Sequence, residues 1–230
     1  MSASNRSADE AKADNIHAMG EELGLLYDAL WQQVTWLYSK WEEYVELYGT
    51  KPSRIALLNK AAPNFFRIIQ DTLWDDVLLH IARLTDSPKS AGKLNLSFRH
   101  LPDAIKDTVV KAKVNELITK ALDVSKFSRD WRNRRIAHRD LHLALGQSAA
   151  PLEPASREKV KEALKALTDV LNAISAHYCD STTIFDLKDG SGGAVSLLYV
   201  LDDGIKAEIH RRERRKNGTF NSDDYAPKDM

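Results

Sequence analysis

The sequence predicts an all-α protein, a bundle of four to five helices with a long N-terminal helix and a helical C-terminal extension. Two observations support this class. Apolar residues recur every seven positions over the first helix, and apolar residues three and four positions apart mark each later helix. Only the stretch 182–187 favours extended structure, so we do not expect a sheet in the core.

The first helix is predicted from about Asp14 to Tyr48, after a disordered N-terminus of residues 1–13. Gly49 suits the helix end, and the proline at position 52 cannot continue it. Aromatic residues occupy more than one face of this helix. We interpret them as core residues, and the alternative is a platform on which nucleobases stack. The seven-residue repeat consists of Ile16, Leu23, Leu30, Leu37 and Tyr44, with Tyr27, Val34, Trp41 and Tyr48 between them.

A second helix is predicted over residues 53–85, where Pro63 either kinks the helix or begins its main section. Within it His80 follows Asp76 by four residues, a spacing at which a carboxylate can orient an imidazole. We prefer a purely structural pair. The alternative is that Asp76 and His80 contact and orient the catalytic groups described below without contacting the substrate.

Residues 86–97 are predicted to form a loop because they contain a cluster of Ser, Pro and Gly. Pro102 begins a third helix, and after a loop at 146–154 a further amphipathic helix extends to Tyr178. These elements complete a main helical domain of residues 14–180.

Residues 181–230 form the predicted C-terminal extension, with a helix over about residues 193–216 and a polar tail. A small hairpin is the alternative to this helix. The glycine-rich stretch 189–193 is predicted to be a turn and not a phosphate-binding loop, since no Lys-Ser or Lys-Thr follows it. The basic run from Arg211 to Lys216 suits a helix C-terminus, and a second nucleic-acid contact is the alternative.

Charge and cysteine content narrow the class of protein. The 230 residues include 33 basic and 33 acidic ones, so net charge provides no global attraction to nucleic acid or to an anionic membrane. The single cysteine, Cys179, excludes an intramolecular disulfide and any multi-cysteine zinc site. The sequence has no apolar run of signal-peptide or membrane-spanning type. We therefore expect a cytoplasmic protein with no membrane contact.

One stretch, from Trp131 to Asp140, combines residue types that suit chemistry on a phosphodiester. Arg132 is a permanent cation, Asn133 a neutral amide, and His138 an imidazole, the side chain most often used as a general acid or base. On a continuous helix, with about 100° per residue, Arg132 and His138 would lie about 120° apart. One copy of the stretch therefore supplies too few convergent groups to surround a phosphate.

The same stretch is a local basic patch in a neutral chain. On a helix, Arg134 and Arg135 would share a face with His138. The predicted phosphate contacts are the arginines Arg129, Arg134, Arg135 and Arg139.

At these residues the chain resembles the HEPN superfamily, whose signature is an Arg, often followed by Asn, then four to six residues and a His. Arg132, Asn133 and His138 match this signature with five intervening residues. The continuation from Ile136 to Asp140 is most similar to the AbiU-type abortive-infection branch, and the likeness covers roughly residues 20–180. It implies a HEPN-like helical bundle and a metal-independent endoribonuclease that uses no cofactor.

The resemblance also implies roles and partners. His138 would take the proton from an RNA 2′-hydroxyl or give one to the leaving 5′-oxygen, Arg132 would hold the scissile phosphate, and Asn133 would orient backbone or phosphate. Two copies of the motif would form one site at a homodimer interface, and an antitoxin or other defence-system partner is a further expectation. HEPN toxins paired with a nucleotidyltransferase antitoxin carry Tyr two residues after the His, where this chain has Asp140. The competing interpretation is a non-catalytic HEPN-like protein that binds RNA or nucleotides or acts as a scaffold.

Overall fold

The computed structural model describes residues 7–90, 92–147, 150–186 and 192–225, and these ranges are mainly α-helical. Their only sheet is an antiparallel hairpin of two-residue strands, β1 (Lys89–Ser90) and β2 (Lys93–Leu94). The predicted all-α class is therefore confirmed. Part of the predicted N-terminal disorder, most of the glycine-rich turn and the end of the polar tail lie outside the described residues.

The helices follow the predicted order with additional breaks. In chain order they are α1 (Ala8–Met19), α2 (Glu21–Tyr48), α3 (Pro52–Ala61), α4 (Pro63–Leu84), α5 (Leu101–Ala104), α6 (Thr108–Val124), α7 (Lys126–Trp131), α8 (Leu141–Ala144), α9 (Arg157–Cys179) and α10 (Ala194–Lys216). Pro63 thus begins the main section of the second predicted helix. The helix predicted over about residues 193–216 is α10.

The single N-terminal helix predicted from Asp14 is wrong, because the chain forms two helices there. Ser7 and Glu10 form a reciprocal capping box, so α1 already begins within the segment predicted to be disordered. Gly20, at φ +83°, then separates α1 from α2. The two helices lie so close that a Cβ on Gly24 would be 2.6 Å from the Cα of Ile16.

The first of two compact units comprises Met1–Trp41 and Leu73–Leu187 and contains the motif. Its core includes the predicted seam of α2 and one face of α9, and α6 packs along α9. Aromatic residues of α2 pack inside the unit: Trp31 and Tyr38 contact Phe185, and Trp41 contacts Trp74. These contacts support the interpretation of the aromatics as core residues.

The second unit comprises Glu42–Thr72 and Lys188–Met230, and α10 packs on α3 in it. The basic run at the end of α10 is extensively paired. Arg211, Arg212 and Arg215 contact Glu208, and Arg214 binds Asp224. Arg211, followed by Arg212, lowers the pKa of Glu208 to about 2. Within the described residues, no helix has the length and apolar character needed to cross a membrane.

Candidate active site

The motif interrupts regular helical geometry. α7 ends at Trp131, and residues Arg132–Ile136 form a π-helical turn in which the Ala137 N–H donates to the Arg132 carbonyl at 2.8 Å. His138 follows in a bend. The prediction that Arg134 and Arg135 share a helical face with His138 is therefore wrong. Short π-helical turns are rare, and they occur frequently at functional sites.

Contacts with the loop before α9 fix the position of this turn. The Trp131 indole N–H donates to the Glu153 carbonyl at 2.8 Å, and the Asp130 carboxylate accepts from the Glu153 N–H at 2.8 Å. Phe127, one turn earlier, is buried at 2% exposure. The backbone that carries the motif is thus anchored from both the core side and the loop side.

Arg132 is held in place by two acceptors. Its Nη1 donates to the carboxylate of Asp86, and its Nε donates to the Asn133 amide oxygen at 3.0 Å. The Arg132 side chain is 25% exposed. A guanidinium has five N–H donors, and the contacts within the described residues use two of them. Three donors remain on a side chain whose position is already fixed, which is the arrangement needed to bind a phosphate.

Asp86 was not singled out from the sequence as a site residue. It lies just after α4, where the Ser97 hydroxyl donates to its carbonyl at 2.7 Å. The residue precedes Arg132 by 46 positions, so no local spacing pattern could reveal the pair. Asn133 orients the same guanidinium from a second side, because its amide oxygen accepts from Nε of Arg132.

An arginine cluster, defined as Arg99, Arg129 and Arg132, gives this region an excess of positive charge. Burial lowers the pKa of Arg129, and the nearby charges of Arg132 and Arg99 act in the same direction. Asp86 and Asp123 oppose this effect. The cluster thus produces a local positive potential that favours binding of an anion, although the net charge of the chain is zero.

Two of the arginines predicted to contact phosphate make internal contacts instead. Arg129 donates to the Thr85 hydroxyl at 3.0 Å and to the Leu122 carbonyl at 2.6 Å. Arg134 donates to the carbonyls of Ala150 and Pro151 and pairs with Asp130. These contacts favour a structural role for both side chains, and their role in phosphate binding remains a prediction.

Three other basic residues of the motif face solvent. Arg135 lies over the Trp131 ring, with its Cζ 5.0 Å from the ring centroid. His138 and Arg139 are exposed and have no hydrogen-bond or ion-pair partner among the residues described. They are accessible to a large ligand such as a nucleic-acid strand.

The predicted Asp76–His80 pair does not form. Asp76 binds Lys40 at 2.6 Å, and the Nε2 of His80 lies 3.1 Å from the Gln33 amide oxygen. The two partners lie on α2, which sequence spacing within α4 could not reveal. Burial, followed by the charge of Lys40, lowers the pKa of His80 to about 4, so this imidazole is neutral at physiological pH.

A cavity of about 290 Å³ adjoins the Arg132–Asp86 pair, because Asp86 also forms part of its wall. We call it the hairpin cavity, since it is bounded by α4, Gln33 of α2 and the loop that contains β1 and β2. The lining residues are Gln33, His80, Arg83, Leu84, Asp86, Leu94, Asn95 and Leu96. His80 thus adjoins the Arg132 site through this cavity.

The sequence contains one histidine pair at metal-ligand spacing, His138 and His142. The first lies in a bend, and the Nδ1 of the second lies 2.9 Å from the Gln147 amide oxygen. Within the part of the chain that the structure describes, no three His, Cys, Asp or Glu side chains are grouped to hold a metal ion.

Comparison with known proteins identifies one family. The family model HEPN_AbiU2, described as AbiU2, matches residues 20–192 and so includes Asp86 and the whole motif. No curated protein and no solved structure matches the chain.

Proposed function

This chain belongs to the HEPN_AbiU2 family, and we propose that it is a metal-independent endoribonuclease that serves in abortive-infection defence. The match confirms the AbiU-type resemblance of the motif. The proposal is carried by the geometry of Arg132. Asp86 and Asn133 hold its guanidinium in position, and three of its five N–H donors remain available. Such a preorganised cation stabilises charge that develops on a phosphate in the transition state.

In the proposed reaction the RNA itself supplies the nucleophile. His138 removes the proton from a 2′-hydroxyl, and the 2′-oxygen attacks the adjacent phosphorus while the bond to the 5′-oxygen breaks. A protonated histidine gives a proton to that leaving oxygen. The products are a 2′,3′-cyclic phosphate and a 5′-hydroxyl. Arg132 binds the non-bridging oxygens, and Arg135 and Arg139 bind neighbouring phosphates.

The working form in this proposal is a homodimer with both motifs at one interface. General acid and general base act at the same time on opposite sides of the phosphorus, so two histidines serve the reaction better than one. A two-fold interface brings two copies of the same patch together and supplies the second His138.

We assign the apolar contact of this dimer to α8 and not to the aromatic helix α2. Most aromatic residues of α2 are buried or half-buried within the chain, although Trp36 is 60% exposed. In contrast, Leu141 and Leu145 of the α8 region are 65% and 59% exposed and lie shortly after His138 in the chain. Subunit contacts combine an apolar centre with a polar rim, and these leucines with the neighbouring charged motif would supply both.

Two measurements test the proposal. Short RNA strands should be cut to cyclic phosphate ends in the presence of EDTA, and strands with a 2′-deoxy substitution at the cut position should resist. RNA that is bound without being cut would instead favour a non-catalytic binding protein.

The dimer is tested by sedimentation of the variant with Leu141→Glu and Leu145→Glu. This variant should shift toward monomer and lose cleavage, whereas Leu197→Glu, at an exposed leucine of α10, should do neither. A wild-type monomer that cuts RNA at full rate would exclude the composite site.

A further inference from the structure

The hairpin cavity is connected to the candidate active site through one carboxylate. Asp86 forms part of the cavity wall and also accepts from Nη1 of Arg132. A group inside the cavity therefore lies one side chain away from a phosphate bound to Arg132. The volume of about 290 Å³ is at the lower end of the range for small-molecule pockets, which suits a group the size of a nucleobase.

Polar groups of the cavity wall match the edge of a base. The Gln33 amide oxygen is engaged by His80 at 3.1 Å, which leaves the Gln33 amide N–H groups as donors. The Asn95 amide nitrogen donates to the Ser87 carbonyl and the Ser90 hydroxyl, both at 2.9 Å, which leaves the Asn95 amide oxygen as an acceptor. Base edges present paired donors and acceptors of this kind.

Other wall groups suit the faces of a base and its phosphate. Leu84, Leu94 and Leu96 supply apolar surface. His80 is neutral at physiological pH, so this imidazole adds no charge to the cavity wall. Arg83 has no ion-pair partner among the residues that the structure describes, so its guanidinium is available to stack on a ring or to bind a phosphate.

We propose that the hairpin cavity is a base subsite that receives a nucleobase of RNA next to the phosphate held by Arg132. This inference rests on the proposed function, because it assumes an RNA strand at Arg132. It assigns sequence selectivity to Gln33 and Asn95, which read the base edge, and to the leucines, which contact the ring. The subsite contributes binding and selectivity, and the bond-breaking step remains with His138 and Arg132.

The experiment compares intact and abasic strands with two matched leucine variants. Leu96→Trp fills the cavity with a larger ring, and Leu197→Trp makes the same change at a leucine of equal exposure, 40%, outside the cavity. Short 2′-fluoro RNA strands, which lack the nucleophile, are titrated to measure the dissociation constant. Each strand carries a single abasic position that is moved along its length. Cleavage of the matching 2′-hydroxyl strands is measured in parallel.

Wild type and Leu197→Trp should bind strands with one particular abasic position about 10- to 100-fold more weakly than intact RNA. Leu96→Trp should bind intact and abasic strands with the same, weaker affinity. Equal binding of intact and abasic strands by wild type would overturn the base subsite, as would an unchanged preference in Leu96→Trp. Absence of cleavage together with base-dependent binding would overturn the nuclease proposal alone, because the fluoro strands report the subsite without any reaction.

Discussion

The Arg132–Asp86 contact yields a quantitative prediction about stability. The two side chains are 25% and 20% exposed, so the pair lies between exposed ion pairs, worth at most about 1 kcal/mol, and buried pairs, whose disruption costs about 3–5 kcal/mol. We expect Asp86→Ala to lower the free energy of unfolding by about 2–3 kcal/mol. This variant leaves the arginine cluster without its nearest carboxylate. Arg132→Ala should cost less, about 1–2 kcal/mol, because it relieves repulsion from the other arginines.

A double-mutant cycle isolates the interaction. Urea denaturation of wild type, both single variants and the double variant should yield a coupling energy of about 1–2 kcal/mol. The matched control is the pair Arg67–Asp71 on α4, whose side chains are 74% and 58% exposed. Its cycle should yield no more than about 0.5 kcal/mol. A coupling energy for Asp86 and Arg132 as small as that of the control would refute the view that Asp86 fixes the guanidinium.

Three further predictions concern other side chains. His80 binds a proton with a pKa near 6.5 when unfolded and about 4 when folded, so wild type should lose up to about 3 kcal/mol of stability as pH falls from 6.5 to 4. His80→Leu should lack this loss, whereas His17→Leu, at an exposed histidine, should retain it. If the free energy of unfolding falls equally with pH in wild type and His80→Leu, the buried neutral state of His80 is contradicted. Arg134→Ala should lower the free energy of unfolding by about 1–2 kcal/mol, because it removes the contacts of Arg134 with Ala150, Pro151 and Asp130. The exposed Arg135→Ala should lower it by less than about 0.5 kcal/mol. Equal losses in urea denaturation would count against a structural role for Arg134. Replacing the arginines of the run Arg211 to Lys216 by Gln should leave the salt slope of RNA binding nearly unchanged, since Glu208 and Asp224 already pair them; a decrease of about 0.7 per arginine would instead reveal phosphate contacts.

Apolar spacing predicted the long helices well because burial selects those residues directly. Leu30, Val34 and Leu37 are fully buried, as the repeat required, and α10 spans nearly the predicted range. The division between α1 and α2 was missed because a continuous apolar period does not report backbone dihedrals. The positive φ of Gly20 and the close approach at Gly24 are the physical causes of that break.

The candidate site was predictable only where its determinants are local. The residue types and spacing of Arg132, Asn133 and His138 identified the motif, but their geometry depends on distant residues. Asp86 reaches Arg132 from another helix end, and the loop at Ala150 binds Arg134. The partners of Asp76 and His80 are side chains of α2, so the four-residue spacing on α4 suggested a pair that competing contacts prevent.

Cleavage of RNA in EDTA by matched histidine variants tests the central claim most directly. Purified wild type, His138→Ala and His142→Ala are incubated with mixed RNA, and circular dichroism verifies that each variant is folded. His142 is an exposed histidine four residues from His138 and has no proposed role in catalysis, so its loss controls for removal of an imidazole from the same surface. Wild type and His142→Ala should cut RNA at similar rates, whereas His138→Ala should be slower by at least about 100-fold. Cleavage by His138→Ala at the wild-type rate, or inert wild-type protein, would contradict the assignment of His138 as the proton-transfer group.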